Sequence, residues 1–143
     1  MFNGEYYHSL DAKGRLIIPA KLREELGEKF VITKGFDGNC LSIYPMDEWE
    51  KLEKKLMNVP RNNKAGQMVV RHLTAGADKC ELDKQGRILI NQKLREHAKL
   101  DKEVVLAGVL ERVEIWDKQR YEENCVIDLD EAMASLEQSG IEI

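Results

Sequence analysis

The sequence predicts an α+β fold, mainly β, made of two tandem repeats with flanking helices. The first observation is that SLDAKGRLIIPAKLREE, residues 9–25, returns 72 positions later as ELDKQGRILINQKLREH, residues 81–97. The second is that short alternating apolar runs between turn sequences predict strands. The third is size, because a unit of about 45 residues with short strands rarely buries enough apolar surface to be stable alone. We therefore expect the two copies to complete one barrel around a pseudo-twofold axis.

The composition is that of a globular protein. The chain has 143 residues, of which 43% are hydrophobic and 34% are charged, which excludes a disordered chain and fits one domain or two very small ones. No apolar run approaches the roughly 20 residues that a membrane helix needs. The start, MFNGEYYHSLD, lacks the basic region and apolar core of a signal peptide. We expect a cytoplasmic protein that does not act in a membrane.

The cysteines and histidines form no ligand pattern. An odd number of isolated cysteines argues against a disulfide framework, and neither a CxxC nor an HxxxH pair occurs. We expect no metal and no cofactor. The residues concerned are Cys40, Cys80, Cys125, His8, His72 and His97.

The net charge of −4 is concentrated at the C-terminal end. Subtracting the five acids that follow position 127 from the total of 26 leaves 21 acids against 22 bases for residues 1–127. The body of the protein is therefore nearly neutral and leaves room for local basic patches. The five acids are Asp128, Asp130, Glu131, Glu137 and Glu142, and no base accompanies them.

Each repeat contains strands, tight turns and short helices in the same order. In the first repeat we predict strands at 5–10, 15–18, 30–34 and 40–44, helices at 20–26 and 46–57, and a turn-rich loop at 35–39. Pro19 opens the first helix and Gly27 closes it. The predicted domains are repeat 1 at 5–47, a helical connection at 48–75, repeat 2 at 76–119, and a C-terminal helix with an acidic tail at 120–143.

Two helices outside the repeats follow from spacing. Ala65, Met68, Val69, His72 and Leu73 recur at i, i+3, i+4, i+7 and i+8, which predicts an amphipathic connecting helix. A closing helix is predicted over residues 118–138.

The repeated Asp-x-x-Gly-Arg phrase predicts a hairpin turn. Asp11 can accept hydrogen bonds from backbone N–H groups just ahead of it, and Gly14 can take the left-handed conformation that such a turn requires. Arg15 then begins the returning strand, within reach of the aspartate for a charge-assisted bond. The same argument holds for Asp83 and Arg87.

Basic residues lie beside both turns. Duplicated basic turns at a fixed separation suit a polymer with regularly spaced phosphates, although an ordinary solvated surface is the alternative. Arginine is the better residue for reading a guanine edge and lysine for contacting phosphate. The basic residues are Lys13, Arg15, Lys21 and Arg23 near the first turn, and Lys84, Arg87, Lys93 and Arg95 near the second.

An aspartic protease and a protein-interaction module are the two alternatives to nucleic-acid binding. An aspartic-protease dyad would need Asp11 and Asp83 in a dry shared cleft. Each is followed by a polar residue and an arginine, so we expect Asp–Arg pairing and no enzyme. The acidic C-terminal segment, 127–143, would suit assembly or partner binding, which leaves a protein-interaction module as the alternative to nucleic-acid binding.

The paired motifs resemble the MraZ family of bacterial transcriptional regulators, which consist of two AbrB/SpoVT-type swapped-hairpin units. The resemblance covers nearly the whole chain and weakens after about residue 123. It rests on FNGEYYHSLDAKGR with Ile18-Pro19 and Leu22-Arg23, on LDKQGR at 82–87 with Leu94-Arg95-Glu96, and on Gly108 and Glu114-Ile115-Trp116-Asp117. Asn91 is a departure, since a proline like Pro19 is expected there.

The resemblance implies a double-split β-barrel, assembled into a ring-shaped, octamer-like homo-oligomer. It implies binding to double-stranded DNA, at short direct repeats in the promoter of the division and cell-wall gene cluster. It further implies a nucleoid-associated protein with no cofactor and no small-molecule substrate. The DNA-binding residues it suggests, together with the basic turns, are Arg15, Lys13, Gly14, Lys21, Arg87 and Lys84, with Asp11 and Asp83 orienting the turns.

Overall fold

A computed structural model describes residues 1–36 and 39–143, which form eight strands and six helices. The tip of the predicted 35–39 loop lies outside the described residues. The strands are β1 (Glu5–Ser9), β2 (Arg15–Ile17), β3 (Lys29–Lys34), β4 (Leu41–Pro45), β5 (Asp78–Glu81), β6 (Arg87–Leu89), β7 (Glu103–Val109) and β8 (Arg112–Asp117). The helices are α1 (Ala20–Leu26), α2 (Met46–Met57), α3 (Lys64–Ala75), α4 (Gln92–His97), α5 (Lys118–Asn124) and α6 (Leu129–Gln138).

The two repeats exchange their first strands. Six strands form an antiparallel sheet in the order β1-β7-β8-β4-β3-β5, and β2 pairs with β6 in a separate antiparallel ribbon. The first strand of repeat 1 thus pairs with β7 of repeat 2, and the first strand of repeat 2 pairs with β3 of repeat 1. The predicted class, mixed and mainly β with flanking helices, is confirmed.

The strand register shows the pseudo-twofold axis directly. In the β2–β6 ribbon Leu16 lies opposite Ile88, and in the sheet Ser42 lies opposite Glu114. Both pairs join positions that are 72 apart, so each residue faces its own counterpart from the other repeat. The axis therefore passes through the ribbon and between β4 and β8.

One hydrophobic core is shared by the repeats. Leu16 and Ile18 from the first repeat and Ile88 and Ile90 from the second are all at most 1% exposed and belong to the same cluster. Leu22 of α1 and Leu94 of α4 seal it from the helices. Because neither repeat encloses these side chains alone, their burial holds the halves together.

The first helix has the predicted bounds. Pro19 is the N-cap of α1, and Gly27 ends the helix with φ of 77°. In α4, Asn91 replaces the expected proline and caps the helix instead, since its side-chain oxygen accepts a 2.9 Å hydrogen bond from the Leu94 N–H. The departure from the family pattern therefore leaves a capped helix.

The predicted connecting helix is confirmed as α3, whereas the predicted closing helix was partly wrong. The apolar stripe of α3 buries Leu73, but Met68 remains 66% exposed and Val69 43% exposed. The helix predicted over 118–138 is two helices, α5 and α6, because the backbone leaves helical geometry after Asn124. Asp128 starts α6 as its N-cap and accepts a hydrogen bond from the Glu131 N–H.

Candidate nucleic-acid interface

The first hairpin turn is held by the carboxylate of Asp11. Its Oδ1 accepts hydrogen bonds from the backbone N–H groups of Lys13 and Arg15, at 2.9 and 2.8 Å. Its Oδ2 accepts from the Arg15 Nε at 2.6 Å. The Gly14 N–H donates to the Asp11 carbonyl at 3.0 Å, and Gly14 has φ of 83°, the left-handed conformation that glycine tolerates best. One carboxylate thus fixes both the turn and the arginine.

The second turn repeats this geometry. Asp83 Oδ1 accepts from the N–H groups of Gln85 and Arg87 at 2.8 and 2.9 Å, and its Oδ2 accepts from the Arg87 Nε at 2.9 Å. Gly86 has φ of 74°. The predicted Asp–Arg pairing is therefore found in both turns.

The two turns lie side by side in the β2–β6 ribbon. Strand alternation places Leu16 and Ile88 toward the core, and the opposite face carries Arg15, Ile17, Arg87 and Leu89. We call this opposite face the ribbon face. The Arg87 Nη1 is 3.9 Å from the Asp11 Oδ2, so the two Asp–Arg pairs are close enough to interact.

Two further arginines rest on the glycines of the opposite repeat's turn. A side chain at Gly14 would run into the guanidinium of Arg95, and one at Gly86 would run into that of Arg23. Arg95 is held in place because its Nε donates to the Ile90 carbonyl at 2.9 Å. Glycine is therefore favoured at both positions by its positive φ, and at Gly14 also by the contact with the held Arg95 side chain.

The electrostatics of the turns favour ionised aspartates. The Arg15 backbone N–H, aided by its guanidinium and by the Lys13 N–H, lowers the pKa of Asp11 from 3.8 to about 2. The Arg87 backbone N–H is likewise the main cause that lowers the pKa of Asp83. A protease dyad needs one carboxyl with a raised pKa, whereas both are lowered and paired with arginine. The arrangement does not support that chemistry.

The lysines of the two turns are not equivalent. Lys13 precedes Gly14 directly, whereas Lys84 lies one position earlier in its turn and Gln85 takes the place of Lys13. Each turn carries two cations and one acid. Lys21 is exposed on α1 and makes no hydrogen bond or ion pair among the described residues.

The sequence pointed to the turns and overlooked part of the surface around them. Arg23 and Arg95 were noted only as neighbouring basic residues, although they pack across the pseudo-twofold axis. Ile17 and Leu89, 47% and 58% exposed, also lie on the ribbon face. Residues 16–18 and 88–90 are apolar throughout, so the sequence does not show which of them are exposed, and the pairing of β2 with β6 decides it.

Strand exchange between tandem repeats, with two Asp–Arg turns paired at the axis, defines a class of two-repeat, mainly β proteins with arginines on the exposed ribbon face. The family described as "MraZ protein, putative antitoxin-like" matches residues 1–72 and again residues 73–134. The chain belongs to the MraZ family.

Similar proteins carry one name, Transcriptional regulator MraZ. The protein of Moorella thermoacetica is 58% identical over 125 residues, which is 87% of this chain and 87% of the relative. That of Lachnoclostridium phytofermentans is 50% identical over 141 residues, 99% of each chain. That of Halothermothrix orenii is 51% identical over 144 residues, 99% of this chain and 100% of the relative. The shared name describes a regulator and not an enzyme.

Within the described ranges, no helix is both long and apolar enough to cross a bilayer. In the same part of the chain, no three or more His, Cys, Asp and Glu side chains gather as a metal ion would require. Cys40 and Cys80 are buried, Cys125 is exposed, and no disulfide joins these three cysteines.

Proposed function

We propose that this protein is a DNA-binding transcriptional regulator that docks its ribbon face on double-stranded DNA. The observation that supports this most directly is the pair of aspartate-held arginines on the exposed side of the β2–β6 ribbon. The major groove of B-DNA admits a two-stranded β-ribbon. Because a fixed side chain loses little conformational freedom on binding, prepositioned arginines favour recognition over loose charge attraction.

Arg15 is assigned to base recognition. Its Nε is bonded to Asp11, and its two terminal nitrogens make no hydrogen bond to any described residue. Those nitrogens can reach O6 and N7 of a guanine together, which is the commonest specific contact between a protein and DNA. Arg87 takes the same role in the second turn wherever that turn also faces the groove.

The remaining residues of the interface are assigned by chemistry. Lys13 and Lys84 contact phosphates from the turns, and Lys21 supplies a further phosphate contact from α1. Gly14 allows the backbone to approach the DNA closely. Ile17 and Leu89 are apolar groups beside the arginines, which suits contact with thymine methyl groups.

The finer parts of the proposal concern the assembly and its target. We propose a double-split barrel with the domain bounds given above, assembled as an octamer-like ring in the cytoplasm and associated with the nucleoid. Short direct repeats in the promoter of the division and cell-wall gene cluster would match regularly spaced turns. A nearly neutral body binds DNA weakly, whereas many turns in one ring gain affinity by multivalency.

Replacement of Arg15 by alanine tests the function. We expect binding to the protein's own upstream promoter to weaken about 5- to 150-fold per contact, because a bidentate guanine contact contributes roughly 1–3 kcal/mol. Gel shifts with promoter boxes deleted one at a time measure it. Arg61→Ala, which removes an exposed arginine away from the turns, is the control. Undiminished binding by a folded Arg15→Ala variant would remove this residue from the interface.

A protein-interaction module is the second candidate. The observation that favours it is the C-terminal segment, in which α6 has no buried residue. Exposed apolar side chains such as Val126, Ile127 and Leu129 favour a surface that another protein covers.

A further inference from the structure

The C-terminal arm, residues 126–143, leaves most of its apolar side chains exposed. Val126, Ile127 and Leu129 are 81%, 64% and 62% exposed, whereas Met133 and Leu136, which follow Leu129 at i+4 and i+7 on the same side of α6, are half-buried. In repeat 1 the helix at the corresponding place in the order is α3, which buries Leu73 completely and ties its carbonyl to the Thr33 hydroxyl at 2.6 Å. The second repeat thus ends in a helix, α6, that buries no residue against the rest of the chain as α3 does.

The arm is also acidic throughout. Its five carboxylates have no basic residue within the arm, and none forms an ion pair with any described residue. A helix with an apolar stripe and uncompensated negative charge fits a seat that is apolar at its floor and basic at its rim.

A surface of this kind lies between α3, α4 and the start of β5. It is an open cavity of about 1200 Å³, which we call the basic groove. Met68 and Leu94 supply apolar surface, and Lys34, Arg71 and Lys93 line the groove. Among the described residues, these three cations make no ion pair.

The two acids of the basic groove are already engaged. Asp78 accepts a 3.3 Å hydrogen bond from the Asn91 side chain, and Glu96 accepts a 2.9 Å bond from that of Gln92. Three cations against two acids leave the groove positive, and no residue of the arm lines it in the folded chain.

A second groove does not fit the arm. It lies between α2 and α3 and is lined by Glu50, Glu53 and Lys54 around Met57 and Val70. Its two acids against one base would repel an acidic helix. Of these two grooves, only the basic groove has a charge that complements the acidic arm.

We propose that the C-terminal arm of one chain docks its apolar face in the basic groove of a second copy of the chain. The arm and the groove are different surfaces, so the contact is head-to-tail and each docked chain offers a free groove to the next. Repetition closes a ring when the rotation permits. The proposal rests on the self-association proposed above and names the surfaces that produce it.

Charge reversal on each side tests the docking. The groove variant is Arg71→Glu with Lys93→Glu, and the arm variant is Asp130→Arg with Glu131→Arg, Glu137→Arg and Glu142→Arg, so that Asp128 is the one acidic side chain left in the arm. We expect each full-length variant alone to lose assembly, with a dissociation constant raised at least about tenfold, because each now opposes like charges. Light scattering coupled to size-exclusion chromatography measures the mass.

Mixing the two variants identifies the partner. In the mixture, the unchanged acidic arm of the groove variant can dock in the unchanged basic groove of the arm variant. The reversed, basic arm of the arm variant can dock in the reversed, acidic groove of the groove variant. We expect the mixture to regain the wild-type assembly, which docking within one chain could not produce. Lys54→Glu with Lys55→Glu, on the α2 surface, is the matched control and should assemble like the wild type.

Three results would overturn the proposal. Variants that assemble like the wild type, or a mixture that stays dissociated, would exclude this docking while self-association still stood. A monomeric wild-type protein would refute self-association and the docking together. DNA binding is read separately with Arg15→Ala, whose assembly we expect to be unchanged.

Discussion

At the scale of single residues, each turn depends on one carboxylate that serves three donors. Asp11 receives two backbone N–H groups and the Arg15 Nε, so loss of its charge would release the turn and the arginine together. This links the conformation of the turn to the direction of the guanidinium. A positioning role for Asp11 and Asp83 follows from the geometry.

Acid should release the first turn only at very low pH. The pKa of Asp11 is lowered to about 2, so its hydrogen bonds to the ionised carboxylate are fully present above about pH 4. They are lost as the pH falls through about 2. We expect carbon NMR of the carboxyl group to give that midpoint, and Arg15→Ala to move it upward. A midpoint at the ordinary value of 3.8 would contradict the assigned hydrogen bonds.

At the scale of elements, equivalent helices begin in different ways. Pro19 starts α1 without a side-chain cap, whereas Asn91 starts α4 by accepting from the Leu94 N–H. Asn91 also donates to Asp78, which connects α4 to β5 across the basic groove. The two copies of one sequence phrase have therefore acquired different local contacts.

The cap of α4 should contribute measurably to stability. We expect Asn91→Ala to lower the free energy of unfolding by about 1 kcal/mol, because the Leu94 N–H loses its partner. Urea denaturation followed by circular dichroism measures the change. Asn91→Ser also loses the bond to Asp78 but keeps an acceptor for the Leu94 N–H, so it should be more stable than Asn91→Ala. Equal losses in both variants would show that the cap is not the cause.

Lysines in the turns should control the salt dependence of DNA binding. When the logarithm of the binding constant is plotted against the logarithm of the salt concentration, each phosphate contact contributes about −0.9 to the slope. We expect Lys13→Ala to weaken binding to all sequences about equally and to reduce the slope by about 1 per bound copy. Lys55→Ala, on exposed α2, should leave the slope unchanged. A flat salt profile for the wild type would exclude a phosphate-contacting surface.

At the scale of the whole molecule, the exchanged strands make each repeat dependent on the other. Strand β1 has its partner β7 in the second repeat, and β3 receives β5 from it. The shared core, with Leu16 and Ile88 facing each other, would be open to water in either half alone. Folding is therefore a property of the pair.

Separation of the repeats should abolish the monomeric fold. We expect a fragment of residues 1–75 to be unfolded or to dimerise through exchange with itself, because β1 has no partner within it. Circular dichroism and size-exclusion chromatography distinguish these states. A folded, monomeric fragment with a cooperative unfolding transition would contradict the argument.

Much of the fold could be predicted because its signals are local or repeated. The bounds of α1 and α2 and the Asp–Arg pairing were predicted correctly, since caps, spacing and turn chemistry act within a few residues. The break between α5 and α6 was missed, because a cap at Asp128 looks like any other acid in an acidic segment. The assignments of Lys13, Lys21, Lys84 and Arg15 to DNA remain predictions.

By itself, the sequence determined the duplication, the two hairpin turns and the residues that hold them. These features depend on hydrogen bonds between positions four apart or closer, which any copy of the phrase forms. The tertiary structure alone decided which strands are exchanged, which face of the ribbon is exposed, and that α3 and α4 enclose a basic groove. Those features depend on pairing between residues tens of positions apart, whose register is selected by burial of the common core.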